Sequence, residues 1–411
     1  MPRHKHRLPL MLIVGVQIVT IAAFAVAATA LSNRGERRVV QAMTGRASAA
    51  RLKISHDRPF RVTPLYDDPS IVTDEELRDV LAKVRPQFDV KELQPNYVEH
   101  ALRAWGATIE FDDPTIMDGP RLIEFLTDYG AHLASWNDVE QARPLLAERP
   151  DGIAINWGRE PGESVHHDHW LACLTEAGVP LDTPIFGPSR RGDTLEDALQ
   201  EAVRDFDPNE RETEWSVMAF GFWLPPDHTS WVNRDGRRID FDLLAETLMR
   251  GHKRFGVCGG THRVYSLMVL LRLDDRFQLL SPPVRDAVYE HLRTVRDLIT
   301  LSQHEDGCWG SDWPNGAAAR SSPMDEPPYR RVIATGHHLE WLAIAYPDLH
   351  PNREVIRRAA DWLVATVRET PHEDLMGQYT FFSHVGNALA LWRKTHPADA
   401  WPKLTAGESL Q

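Results

Sequence analysis

The apolar and polar positions sort the chain into two kinds of helix. Val284, Val288, Leu292, Val295 and Ile299 step by four, four, three and four residues, which places them on one face of a helix of 3.6 residues per turn. Val355, Ile356, Ala359, Ala360, Leu363, Val364 and Val367 repeat the pattern, with Arg357, Arg358 and Arg368 among the intervening positions. Such helices have one face to bury and one for water, so they are expected on the outside of the fold. Interleaved with them are segments that are apolar nearly all round: residues 262–273, 337–346 and 383–392. A helix without a polar face must be enclosed by other helices. Residues 97–105, 168–177 and 214–223 have the same character, and most of these buried segments have a more polar helix before or after them. Self-similarity at this scale suggests repeated helical hairpins. No strand-rich region competes with this picture.

The junction after one outer helix reads Gln303-His304-Glu305-Asp306-Gly307-Cys308-Trp309. It resembles the Gln-x-x-x-Gly-x-Trp repeat of squalene cyclases, and its placement suits the related protein prenyltransferases. The resemblance covers the C-terminal half and implies an all-α fold, an α/α toroid, in which the Gln and Trp tie the end of an outer helix to the next turn. Only one repeat carries the motif cleanly. The hairpin end Pro371-His372-Glu373-Asp374 echoes it, with Leu375-Met376 in place of Gly-x-Trp. The Asp-x-Asp-Asp acid motif of the cyclases is absent, as are aspartate-rich prenyl diphosphate motifs.

The N-terminus bears on the compartment. Arg3, Lys5 and Arg7 lie in a basic tail (1–7), and residues 8–32 are free of charge and rich in Leu, Ile, Val and Ala. A helix of that length can cross a bilayer core, so the segment reads as a signal-anchor that makes the protein single-pass in a membrane. A cleavable secretory signal is the rival reading, with Ala28 and Ala30 near its end, although its apolar region is usually only ~7–15 residues long. The domain is expected to be extracytoplasmic, although Arg34, Arg37, Arg38 and Arg46 leave the charge bias across the segment nearly balanced. A polar linker (33–60), the toroid domain (61–395) and a C-terminal tail (396–411) complete the division. With 46 basic against 59 acidic residues and a net charge of −13, nucleic acid is not an expected partner, because phosphate binding calls for basic patches. Cys173, Cys258 and Cys308 are too few for a disulfide framework in a domain of this size.

The candidate chemistry lies where the buried segments begin. In a toroid the inner helices are parallel, so their N-termini gather at one mouth, where free N–H groups and dipoles favour anions. Three inner helices are expected to start with similar punctuation: Cys258-Gly259-Gly260-Thr261-His262, then Ala334-Thr335-Gly336-His337-His338, then Phe381-Phe382-Ser383-His384. If the histidines share a mouth, His262, His337 or His338, and His384 converge with Cys258 close by. Three such ligands plus a water make an open zinc site, able to polarise a carbonyl or activate a thiol or water. The arrangement resembles those of prenyltransferase β-subunits and lanthionine synthetase cyclases, toroids whose zinc ligands come from inner-helix starts. The match is partial: Thr335-Gly336-His337 stands where the prenyltransferases have Asp-x-Cys, and the lanthionine cyclase Cys-His-Gly is missing. What carries over is a location, and no activity.

Other readings stay open. The histidines can equally be helix caps and core hydrogen-bonding groups. His166-His167-Asp168-His169 is rich in ligand types, but on a helix only His166 and His169 share a face. No Gly-x-Ser-x-Gly elbow or Walker loop is present. A glycoside hydrolase or lyase would use two carboxylates and tryptophan platforms. The chain has 13 Trp residues, and Asp306, Asp312, Glu340 and Glu214 are the conceivable carboxylates. Asp306, Trp309, Asp312 and Glu340 are accordingly candidates for binding a small-molecule or polymer ligand. Residues 184–193 and 314–329, rich in Pro, Gly, Ser and Arg, are expected to be loops, exposed connectors or a lid. The sequence thus supports three functions: a metal-dependent transferase or hydrolase, a carbohydrate-active enzyme, and a non-catalytic binding scaffold at the membrane.

Overall fold

A computed structural model describes residues 51–89, 91–136, 143–210, 212–250, 257–321 and 325–410. The expected membrane segment at 8–32 lies outside them. Among the described residues no helix is long and apolar enough to cross a membrane.

The protein is mainly helical. Thirteen helices among the described residues carry the fold: α1 (Asp74–Lys83), α2 (Pro95–Trp105), α3 (Gly119–Thr127), α4 (His169–Glu176), α5 (Leu195–Asp205), α6 (Glu214–Trp223), α7 (Phe241–Met249), α8 (Thr261–Phe277), α9 (Pro282–Ser302), α10 (Pro328–Ile344), α11 (Arg353–Glu369), α12 (Tyr379–Trp392) and α13 (Pro397–Thr405). Strands are confined to three two-stranded antiparallel hairpins: Leu146–Arg149 with Gly152–Ile155, Pro184–Ile185 with Asp193–Thr194, and Ser230–Val232 with Arg238–Asp240.

The even-numbered helices are the segments without a polar face, and burial covers every residue of α6 and nearly every residue of α12. They pack in cyclic order, α2 on α4, α4 on α6, α6 on α8, α8 on α10, α10 on α12 and α12 back on α2. Neighbours run in the same direction. At one end the His262 ring lies on Trp215 and the His169 ring on Trp215. At the other, Trp223 Nε1 donates to Thr175 Oγ1 and Arg272 Nη1 to Ile344 O. The amphipathic helices lie outside this cycle: α9 buries Val288, Leu292, Val295 and Ile299, and α11 buries Ile356, Ala359, Ala360, Leu363, Val364 and Val367. These are the faces that the periodicity predicts.

Local chemistry fixes the ends of elements. Thr73 and Glu76 form a reciprocal capping box on α1, as do Thr194 and Asp197 on α5. After α9, Gln303 Nε2 donates to Gly307 O at 2.8 Å and to Val355 O at 2.7 Å. Trp309 Nε1 donates to Ile299 O at 2.8 Å. The Gln and Trp therefore bind the end of one outer helix to the turn that follows and to the start of the next outer helix.

Three sequence expectations need correction. The stretch 51–60, read as linker, lies on the domain: Arg51 pairs with Glu196 and Asp197, and Phe60 N donates to Phe222 O. The region from 396, read as a tail, carries α13, which buries Ala400 and Leu404. Two buried helices also start earlier than expected, α10 at Pro328 and α12 at Tyr379. Thr335 and Gly336 are therefore not a helix start. Gly336 is where α10 and α12 touch, for a Cβ there would lie 3.4 Å from the Cβ of His384. Thr335 Oγ1 accepts from Trp309 N at 2.9 Å.

Close approach of α10 and α12 yields a first prediction. Gly336→Leu inserts a side chain into this contact and should destabilise the full chain by about 1–3 kcal/mol in urea unfolding. Gly377→Ala, with nothing within 4 Å of its Cβ position, should leave stability unchanged or slightly raised. Equal effects of the two would contradict the packing.

Candidate metal centre

Each of the six buried helices presents one ring to the interior: His100 from α2, His169 from α4, Trp215 from α6, His262 from α8, His337 from α10 and His384 from α12. Successive ring centroids are 4.7, 4.4, 4.1, 4.0 and 3.9 Å apart, and His384 closes the circle on His100 at 5.1 Å. Every member is buried. In four of the helices a polar residue follows three positions later, on the same face and one turn deeper: Arg103, Tyr265, Glu340 and Asn387.

Glu340, fully buried, is the hub of this deeper tier. Its carboxylate accepts from Arg103 Nη1 at 3.0 Å and from Asn387 Nδ2 at 2.7 Å. His337 Nδ1 lies 2.7 Å from Oε2, and His384 Nδ1 lies 3.2 Å from both oxygens. Arg103 also donates Nε to Glu176 at 2.5 Å, and Tyr265 OH donates to the other Glu176 oxygen at 2.7 Å. Burial pushes the Glu340 carboxyl up, but Arg103, His384 and His337 outweigh it and hold it well below the usual range. It is a buried carboxylate, paired on every side.

Two groups of side chains here could hold a metal ion. The potential ligand atoms of Cys258, His262 and His337 lie within 4.8 Å of one another, and so do those of His337, Glu340 and His384. The two groups share His337. In the second, Arg103 Nη1 is 3.0 Å from Glu340 Oε1 and 2.9 Å from His384 Nδ1, so a cation would meet a fixed positive charge. The first group is free of that conflict. With His337 Nδ1–H donated to Glu340, its Nε2 is left as a bare lone pair, buried and without a hydrogen-bond partner. A carboxylate behind a ligand histidine fixes the tautomer and ring orientation that a metal needs.

The backbone delivers Cys258 to this group. Cys258, Gly259 and Gly260 take positive φ in succession, 53, 68 and 84°. Two glycines allow the turn, while Cys258 takes a conformation that costs a side-chain-bearing residue about 1–2 kcal/mol. Trp313 Nε1 pins the loop by donating to Gly259 O at 3.1 Å, and Thr261 Oγ1 donates to Cys258 O at 2.9 Å. Burial, with Glu214 and Glu340 nearby, pushes the Cys258 thiol up. A metal would reverse that balance, since a coordinated thiol is deprotonated outright.

The other predicted residues lie elsewhere. His338, next to His337 but a step around the helix, packs against Trp309 and Trp313 and accepts from Trp341 Nε1 at 3.1 Å. Its role is to support the tryptophan that pins the Cys258 loop. Trp309 is fully buried. Asp306 is exposed and pairs with Arg331 at 3.5 Å, and Asp312 begins the short turn Trp313–Asn315. Neither carboxylate meets Glu340. Trp105, Trp170, Trp215, Trp223, Trp309, Trp313 and Trp341 are fully buried, so they pack the core and offer no sugar platform. Of the His166–His169 cluster, His169 enters the ring, whereas His166 and His167 turn toward Glu212 and Glu210.

Sequence reasoning missed His100, Arg103, Glu176, Tyr265 and Asn387, and for all but Glu176 the readable signal was a histidine followed three positions later by a polar residue inside an apolar helix. It also missed a fully buried chain in which Glu99 Oε2 lies 2.5 Å from His169 Nδ1 and Cys173 Sγ lies 3.3 Å from His169 Nε2. Burial raises the Glu99 carboxyl to about 8 and pushes the Cys173 thiol up, with Glu99 adding to it. All three groups are thus neutral at pH 7.

Burial also holds His100, His169, His262, His337, His338 and His384 below the ordinary histidine value, His338 at about 3. Below pH ~6.5 the unfolded chain gains protons that these folded imidazoles refuse, so stability falls as pH falls. Glu99, His167 and Glu210, whose protonated forms the fold favours, act oppositely, but they are fewer than the depressed histidines. Urea unfolding with a chelator present should show a loss of roughly 2 kcal/mol or more between pH 7.5 and 5.5. A flat profile would mean that the ring titrates normally. Compared with known proteins, this chain matches no family model, no curated protein and no solved structure.

Proposed function

We propose that the domain is an α/α toroid of the squalene cyclase and prenyltransferase type, and that its axis carries a zinc-dependent hydrolase or transferase centre. The cyclic, same-direction packing of six buried helices inside amphipathic ones supports the architecture, as does the Gln303 and Trp309 bracing. One observation carries the function: Cys258, His262 and His337 bring their ligand atoms within 4.8 Å of one another, with Glu340 set behind His337.

In this reading Cys258 Sγ, a nitrogen of His262 and His337 Nε2 would hold the ion, a three-residue ligand set of the kind catalytic zinc sites use. The ion supplies Lewis acidity and a bound water or thiol of lowered pKa. The protein supplies the rest. Glu340 orients His337, Arg103 neutralises Glu340 so that the carboxylate stays out of the ligand set, and the depressed histidine pKa values keep the imidazoles neutral and ready to bind. The surrounding apolar helices exclude bulk water and so strengthen each electrostatic contact.

Metal analysis of the purified full chain tests this. One equivalent of zinc is expected, and cobalt substitution should give a thiolate-to-cobalt charge-transfer band. Cys258→Ser should abolish the band, and His262→Ala should remove stoichiometric metal. Glu340→Gln should weaken affinity about 10–100-fold, while His338→Gln retains the metal. No stoichiometric transition metal after reconstitution, or metal that survives both ligand substitutions, would refute the proposal.

A further inference from the structure

At the opposite end of the buried helices lies a cavity of about 120 Å³, among whose lining residues are Arg58, Arg61, Arg103, Glu176, His396 and Asp399. Two arginines reach it from the extended segment before α1. Arg61 Nη2 donates to Ala177 O at 3.2 Å and Arg58 Nη1 to Gly178 O at 2.9 Å. These carbonyls follow α4, where the helix dipole is negative and holds guanidinium groups. The seat requires glycine: Gly178 has φ +79, and a Cβ there would come within 2.6 Å of Arg61 Nη2.

The third arginine comes from inside. The Arg103 side chain is 3% exposed. Its Nε serves Glu176 and its Nη1 serves Glu340, while the buried Nη2 has no hydrogen-bond partner. Burial, with Arg61 and Arg103 adding their charge, holds His396 down at about 4. At neutral pH it is therefore an uncharged imidazole with an N–H to donate. His396 is also the residue before α13, so the cavity faces the first turn of that helix. Of the two acids, Glu176 is already engaged by Arg103 and Tyr265.

We infer that this cavity binds a small oxyanion, a carboxylate or phosphate group, through Arg58, Arg61 and the N–H of His396, with the Arg103 charge in the cavity wall. Guanidinium forks match both anions. Because Arg103 also touches Glu340 and His384, an occupant here would reach the histidine cluster through one side chain. The cavity is lined by none of Cys258, His262 and His337, so its occupancy does not depend on a metal there.

Calorimetric titration of the full chain with inorganic phosphate and with acetate, each at matched ionic strength and in chelator, tests it without any contribution from bound metal. Saturable binding is expected for at least one probe, and the tighter of the two identifies the class. The double variant Arg58→Ala, Arg61→Ala replaces two exposed side chains and should weaken that binding at least tenfold. Arg61→Lys, which keeps the charge and loses the fork, should fall between the two. No saturable binding of either anion, or equal affinity in the double variant, would overturn the inference. Neither result would alter the zinc stoichiometry.

Discussion

The ion pair between Arg103 and Glu340 is the interaction on which the interior depends. Both groups are buried at the centre of six apolar helices, where an unpaired charge is prohibitively costly and removing one partner of such a pair costs about 3–5 kcal/mol. The pair is stable because its neighbours complete it. Glu176 accepts from Arg103 Nε and is itself held by Tyr265 OH, and Asn387, His337 and His384 surround Glu340. These partners come from α2, α4, α8, α10 and α12, so a single charge network ties together five of the six buried helices and fixes their register. The same carboxylate decides which way the His337 ring faces, which links the charge network to any chemistry at Nε2.

Much of the fold was legible in the sequence because burial leaves a plain signature. The stretches with no polar face became the inner helices, and those with one apolar stripe became the outer ones. The Gln303 amide and the Trp309 indole brace the end of α9. The failures are equally physical. Gly336 reads as punctuation when only its own chain is considered, and its true partner, His384, is distant in sequence. The strip from 396 reads as a tail because α13 is short and proline-bearing, yet it is held by contacts with α1 and α2.

The site was half legible. Cys258, His262, His337 and His384 were picked out, and the structure brings them to one region, though divided into two groups that meet at His337. The sequence could not separate His337 from His338, since adjacent residues differ only in the direction they face. Nor could it show that Arg103, many residues away, would stand where a cation might otherwise sit between Glu340 and His384. That placement follows from the closing of α12 on α2, a tertiary fact.

Several demands therefore meet at one point. A strained Cys258 is held by the turn of Gly259 and Gly260 and by Trp313, two histidines are kept neutral by burial, and a carboxylate is paired with its arginine. X-ray absorption spectroscopy on the zinc-loaded full chain tests their convergence most directly. The account predicts one sulfur neighbour at about 2.3 Å and imidazole nitrogens at about 2.0 Å, with the sulfur lost in Cys258→Ser. A shell of nitrogen and oxygen alone in the unaltered chain would place the ion away from Cys258 and contradict the account.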